Sequence, residues 1–271
     1  VGAAEYDGHT DLSDAREVLR ATKKTKVYAL DVQAPKLVEL QAKVAKGHEG
    51  QERFRTLNLA LAGHLGRIAI YPQHKKSKQN NFGISKPVNH FSQGELQPLF
   101  TVNCTTITHL ICNTIHASSI TMFKIDCEGC EPTVLPPNLK DIAKLMHFLS
   151  FEYGLFWNDA WAGQALKHST TFARTKGKVI KVALDPNRTL EAIQDTAWQV
   201  GLLVTHVMAP NFLMPMGGPF WKPEYELCNG HHQYGCVFDM VAFSLHNPIA
   251  KAIVEQLFPD TAALILPLWR V

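Results

Sequence analysis

The stretch "FKIDCEGCEPTVL", residues 123–135, decides how the rest of the chain is read. The apolar run "SITMFKID" (119–126) ends in Asp126, and Glu128 and Glu131 follow within six positions of it. Gly129 lets the backbone turn close to a ligand. Pro132 opens a helix whose positive end faces the acids. A buried strand that stops in carboxylates suits an open α/β sheet, where ligands bind beyond the carboxyl ends of the strands. Taken alone, the stretch leaves four roles open: a metal site, an acid/base pair, a Cys127-x-x-Cys130 redox motif and a solvated turn.

Outward from it, other strands end the same way. "KVYALDV" (26–32) closes on Asp31, and "LMHFLSFEYG" (145–154) carries Glu152 near its end. Between strands, "APKLVELQAKVAKG" has Pro35 in its first turn, Leu37, Leu40 and Val44 at helical spacing, and Gly47 at its close. "RTLEAIQDTAWQVG" (188–201) is a helix with Thr189 as N-cap and Gly201 past its end. "FRTLNLALAG", "GRIAIYP", "LFTVNCTTI", "LLVTHVMAP" and "CVFDMVAFSL" read as strands, and "ITHLICNTI" as a short amphipathic helix. A Gly/Pro/aromatic loop is expected from about Pro210 to Gly235. The alternation predicts an α/β fold with a mostly parallel central sheet and helices on both faces. One domain is expected over 1–271, with a core to about 209 and a C-terminal loop and outer strand over 210–271.

The 271 residues are 46% hydrophobic and 19% charged, which excludes a disordered chain. A net charge of +3 is too mild to make nucleic acid or an anionic membrane an obligatory partner. No apolar run approaches the ~18 residues of a membrane span. Six cysteines do not make a disulfide scaffold at this length. The chain starts at Val1 without Met, so it reads as processed or as a fragment, and the compartment stays unassigned.

"VGAAEYDGHT" (1–10) places Gly2 and Gly8 ahead of a helix, and Asp31 lies about twenty residues on. Glycines let a backbone approach a nucleotide-like ligand, and the acid accepts from ribose hydroxyls. This pattern does not separate a nicotinamide cofactor from S-adenosylmethionine.

"VGAAEYDGHT", "VYALDVQAP", "LNLALAGHLGRIAIYP" and "FKIDCEGCEPTVL" occur in the order found in FkbM-type S-adenosylmethionine-dependent methyltransferases. The chain resembles that family over roughly 1–155, most specifically in its "KIDxEGxE" segment. The resemblance implies a Rossmann-like class I methyltransferase fold whose first strand is truncated at the N-terminus. It implies that Gly2, Ala3, Gly8 and Thr10 line the methionine end of S-adenosylmethionine, that Asp31 holds the ribose, and that Asn58 and Ala60 lie near the adenine. Asp31 stands where the family usually has Glu. Asp126, Glu128 and Glu152 are then expected to orient and deprotonate a hydroxyl of a small molecule or sugar. Glu131 is expected in a supporting role on the substrate side. Read from the residues themselves, Tyr153, Phe156, Trp157 and Trp161 behind Glu152 suit an acceptor pocket, with Tyr153 and Trp157 as its substrate contacts, or else pack the following helix onto the sheet. Metal-free chemistry is the expectation, with a divalent cation on Asp126, Glu128, Glu131 or Glu152 as the alternative.

By the same resemblance Cys127 and Cys130 fill small apolar slots, which favours buried thiols over a redox pair. Pro136-Pro137 replaces the family's usual "KG" and is expected to cut the following helix to about a turn. "HKKSK" (74–78) suits phosphate or acidic-sugar recognition, or a solvated loop tip. Cys228, His231, His232 and Cys236 are zinc ligands by type, but their spacing matches no standard finger and reads as a surface loop. Trp221 and Tyr225 are candidates for a lid. Two rival functions remain: a methyltransferase-like binding module without chemistry, favoured by the absent strand and the Pro-Pro break, and a nicotinamide-dependent oxidoreductase.

Overall fold

The computed structural model describes residues 18–19, 22–46, 51–72, 82–83, 98–127, 130–154, 170–175, 178–183, 189–208, 212–222, 225 and 237–269. Two strand–helix–strand units frame it. In the first, β1 (Val27–Asp31) runs through helix α1 (Ala34–Lys46) to β2 (Phe54–Asn58), which lies parallel to β1. Burial in β1 rises toward Asp31, so the strand enters the protein as it approaches its acidic end. Leu37, Leu40 and Val44 of α1 pack with Ala29 and Phe54, closing a small core. The Arg53 guanidinium donates to the carbonyls of Leu19, Thr22 and Thr25 and ties this unit to the preceding segment.

A second sheet follows. β3 (Ala60–Leu61), β4 (Gly66–Pro72), β5 (Phe82–Gly83) and β6 (Phe100–Thr105) are ordered β3-β6-β4-β5. Only the β3/β6 pair in it is parallel. The stretch 107–115 is a helical turn, Ile107–His109, running into a π-helical turn, Leu110–Ile115.

The acidic motif belongs to the other strand–helix–strand unit. β7 (Ile120–Ile125) leads through α2 (Glu131–Ile142) to β8 (Met146–Gly154), again parallel. β9 (Thr170–Thr175) and β10 (Lys178–Ala183) form a hairpin. After α3 (Leu190–Gln199) come β11 (Leu202–Met208), β12 (Phe212–Pro215) and β13 (Val237–Ser244). These complete a five-stranded sheet in the order β12-β11-β13-β8-β7. α4 (Pro248–Leu257) and α5 (Pro259–Ile265) end the chain.

Strand alternation divides the sides of this sheet. Leu149, Phe151, Val204, Met240 and Ala242 join the core formed with α2 and α3. Leu203 and Phe243 join the core formed with α4 and α5. Helices therefore cover both faces, as expected. The sheet itself is mixed, not mostly parallel: β13 inserts antiparallel to both β8 and β11, and β12 folds back on β11. A strand buried on both faces reads as an apolar run whichever way it points, so direction is not encoded in the run. β12 and a 3-10 turn at Gly218–Phe220 also fall inside the stretch read as loop.

Helix α2 corrects a further expectation, because it runs through Pro136 and Pro137 for twelve residues. Val134, Leu135, Leu139 and Ile142 are fully buried, while Thr133 and Pro137 are exposed and Pro136 is half-buried. Of the two carbonyls that lose a donor to the prolines, those of Pro132 and Thr133, the second belongs to an exposed residue and the first to a buried one. A helix-interior proline costs ~3 kcal/mol or more. Each buried aliphatic side chain contributes ~1.5–3 kcal/mol, and four of them outweigh two prolines. The Pro-Pro argument for a fold without chemistry falls with this. Thr189 caps α3 as expected, its Oγ1 accepting from Ala192 N at 3.1 Å, and Gly201 beyond the helix has φ +77°.

Candidate functional site

β7 and β8 are parallel and in register at Ile125 and Phe151, so Asp126 and Glu152 follow side by side at the same end of the sheet. On the other side of β8, Glu152 is opposite Asp239 of β13. Three carboxylates thus cross three neighbouring strands in a row. Asp126 and Glu152 are half-buried and Asp239 is exposed. Directly opposed like charges disfavour strand pairing; Glu152 is engaged in further interactions, as is Asp126. His206 of β11 is one register position further, paired with Met240. Its pKa is held below the ordinary imidazole value by burial, with the charge of Asp239 opposing. Asp239 and His206 escaped the sequence reading. Their strands read as apolar runs, and only the antiparallel insertion of β13 brings Asp239 to the acidic end.

Glu131 has no solvent exposure, and its Oε1 accepts from the Cys127 backbone N–H at 2.7 Å. Cys130 is the N-cap of α2, its carbonyl accepting from Thr133 N and Val134 N at 3.0 Å. A carboxylate in the first turn offsets the positive helix end, so Glu131 closes the motif on itself. The cysteines depart from expectation: Cys127 and Cys130 are joined by a disulfide, not present as buried thiols. Among the described residues, the one group of metal-capable donors is Cys127, Cys130 and Glu131. Its sulfurs are bonded to each other, so this form offers no thiolate to a metal. Asp126, Glu131 and Glu152 do not gather into such a group.

At the other unit, Asp31 is 5% exposed and its Oδ1 accepts from Gln33 N at 2.8 Å, fixing the turn into α1. Asn58 is its register partner on β2, and the Asn58 side-chain amide donates to the Asp31 carbonyl at 3.0 Å. Ala60 is buried just beyond. Asp31 and Asn58 are therefore brought together at the carboxyl ends of a parallel pair.

Tyr153 belongs to the core, with no exposed surface, and offers no open ring face to an acceptor. Two positions on from Phe151, it shares that residue's face of β8, toward the core that α2 helps form, which the sequence could not specify. Trp221 and Tyr225 pack edge to face at 5.8 Å, and Trp221 Nε1 donates to Glu191 Oε1 at 3.2 Å. That contact anchors the segment to α3. Gly2, Ala3, Gly8, Thr10, Glu128 and Trp157 lie outside the described residues, as do 74–78 and 228–236.

The family model described as the methyltransferase FkbM domain matches residues 2–194. The match takes in both strand–helix–strand units and the first half of α3. No curated protein and no solved structure matches the chain significantly.

Proposed function

The chain belongs to the FkbM family of methyltransferases, and from that premise we propose that it transfers a methyl group from S-adenosylmethionine to a hydroxyl of a small molecule or sugar. One observation carries the reading: two parallel strand–helix–strand units each end in polar groups, the acid Asp31 beside the amide Asn58 in one and the acids Asp126 and Glu152 in the other. A Rossmann-like arrangement is the fold in which such ends serve a nucleotide-like ligand.

The donor set suits this cofactor. Asp31, buried and held by the turn it caps, would accept from ribose hydroxyls. Asn58 and Ala60 would border the adenine, and Gly2, Ala3, Gly8 and Thr10 the methionine end. When bound, the cofactor supplies a methyl group already activated by a sulfonium. Asp126 and Glu152, with Glu128 between the cysteines, would orient the acceptor hydroxyl and take its proton. The half-buried setting of Asp126 and Glu152 strengthens attraction for a cation relative to bulk water. Asp239 adds a third carboxylate to that row.

Calorimetry with S-adenosylhomocysteine tests the reading. One site is expected, weakened at least ~tenfold in Asp31→Ala, as befits the loss of a charged hydrogen-bond acceptor. NAD should give no heat. Absence of heat with both S-adenosylmethionine and S-adenosylhomocysteine would overturn it.

A further inference from the structure

We propose that Cys127 and Cys130 form a reversible thiol–disulfide redox site, reduced by an external dithiol, inside the loop that carries the acidic motif. The bridge spans Cα atoms 5.5 Å apart and encloses only Glu128 and Gly129 in sequence. A ring that short removes little entropy from the unfolded chain compared with a bridge across a long loop. Stapling of the whole fold therefore does not account for it. What the bridge constrains is the distance between Cys127, directly after Asp126, and Cys130 at the start of α2.

The two sulfurs have unequal surroundings. Cys127 is half-buried, whereas Cys130 is 1% exposed and packed in the main core. An incoming thiolate therefore reaches Cys127. Cys130 sits as the N-cap of a twelve-residue helix, whose positive end favours a thiolate there. The nearby Glu131 carboxylate opposes that charge, but it is already held by the Cys127 N–H. A better-stabilised leaving thiolate departs faster.

One thiolate of the dithiol attacks the Sγ of Cys127. The Sγ–Sγ bond breaks and its electron pair leaves on Cys130, which takes up a proton. The second thiol of the reductant, deprotonated, attacks the reductant's own sulfur in the mixed disulfide and releases Cys127 as a thiolate, which is protonated in turn. The cysteine pair gains two electrons and two protons, and the dithiol becomes a disulfide. Reduction then removes the covalent tie between Cys127 and Cys130. That the segment they flank serves a methyl acceptor rests on the function proposed above; the sulfur chemistry does not.

The test uses the full chain, equilibrated in mixtures of reduced and oxidised dithiothreitol, alkylated and mapped by mass spectrometry. Cys112, exposed and free, serves as the internal labelling reference, and buried Cys104 as the unlabelled one. The 127–130 peptide should pass reversibly from bridged to doubly alkylated while circular dichroism is unchanged. Hydrogen exchange around 124–131 should then quicken at least ~tenfold, with α3 unaffected. Cys130→Ser should form a mixed disulfide with glutathione at Cys127, and Cys127→Ser none at Cys130. A bridge that yields only on unfolding, thiols that never oxidise, unchanged exchange, or a mixed disulfide at Cys130 would overturn the proposal. None of these readouts involves S-adenosylmethionine, so failure of cofactor binding would count against the methyltransferase reading alone.

Discussion

Replacing Asn138 by alanine should loosen the platform on which the acidic motif stands. Asn138 is 5% exposed in α2, and its Oδ1 accepts from Thr108 N at 3.0 Å and Thr108 Oγ1 at 2.9 Å. Its Nδ2 donates to the Val134 carbonyl at 2.7 Å. The Thr108 amide lies in the first turn of a helix, where no intrahelical partner is available. Each such hydrogen bond contributes a net ~0.5–1.5 kcal/mol, and a buried group left without a partner costs ~1–3 kcal/mol. Asn138→Ala is therefore expected to lose about 2–4 kcal/mol. For a chain of this size that lowers Tm by roughly 5–15 °C. Urea titration and thermal melts followed by circular dichroism measure both. Thr108→Val removes the hydroxyl contact with Asn138 from the other side, along with that to Asp141 Oδ2, and keeps the backbone N–H. Because the hydroxyl contact is shared, the double variant should lose less than the sum of the single losses. A loss under ~0.5 kcal/mol in Asn138→Ala, or strict additivity, would refute the view that this side chain locks α2 to the 107–115 segment.

Other outcomes follow from particular contacts. Glu128→Gln should leave cofactor binding within a few-fold and lower turnover at least ~tenfold, as expected for loss of a positioned base; equal effects on both would remove Glu128 from the acid/base role. Gly218 has φ +58°, and a Cβ there would run into the indole ring of Trp198. Gly218→Ala should therefore cost about 1–3 kcal/mol, on the order of an overpacked core, whereas Gly63→Ala, whose nearest neighbour is at 4.0 Å, should melt close to the parent. Because burial holds His206 below its ordinary pKa, the unfolded chain takes up that proton first as pH falls. Stability should decline once pH drops below about 6.5, the ordinary imidazole value, and the decline should level off below the native-state pKa. His206→Gln should flatten that part of the profile in urea melts, and an unchanged profile would assign it elsewhere.

Legibility in the sequence followed the range of the interactions involved. Thr189 and Gly201 were readable because a cap is decided by neighbours a turn away. The β1–α1–β2 unit was readable because periodicity and turn residues lie within one short stretch. α2 was misjudged because its proline cost is local, while the burial that offsets it comes from residues far along the chain. The disulfide was misjudged for a related reason: a Cys-x-x-Cys spacing permits a bridge, but only the placement of Cys127 and Cys130 with Cα atoms 5.5 Å apart brings the sulfurs together.

The same division holds for the candidate site. Read alone, the sequence places Asp31, Asp126 and Glu152 at or near strand ends and carries the ordered motifs of the FkbM methyltransferases. Composition, alternation and short motifs suffice for that. The sequence does not show that β7, expected to be buried, is a partly exposed edge strand. Only the tertiary structure decided that Asp31 sits with Asn58 and that Tyr153 is core. It alone placed Asp126, Glu152 and Asp239 in one row across β7, β8 and β13. Those relations depend on strand register and direction. A doubly covered strand hides both, because its apolar run looks alike in either orientation.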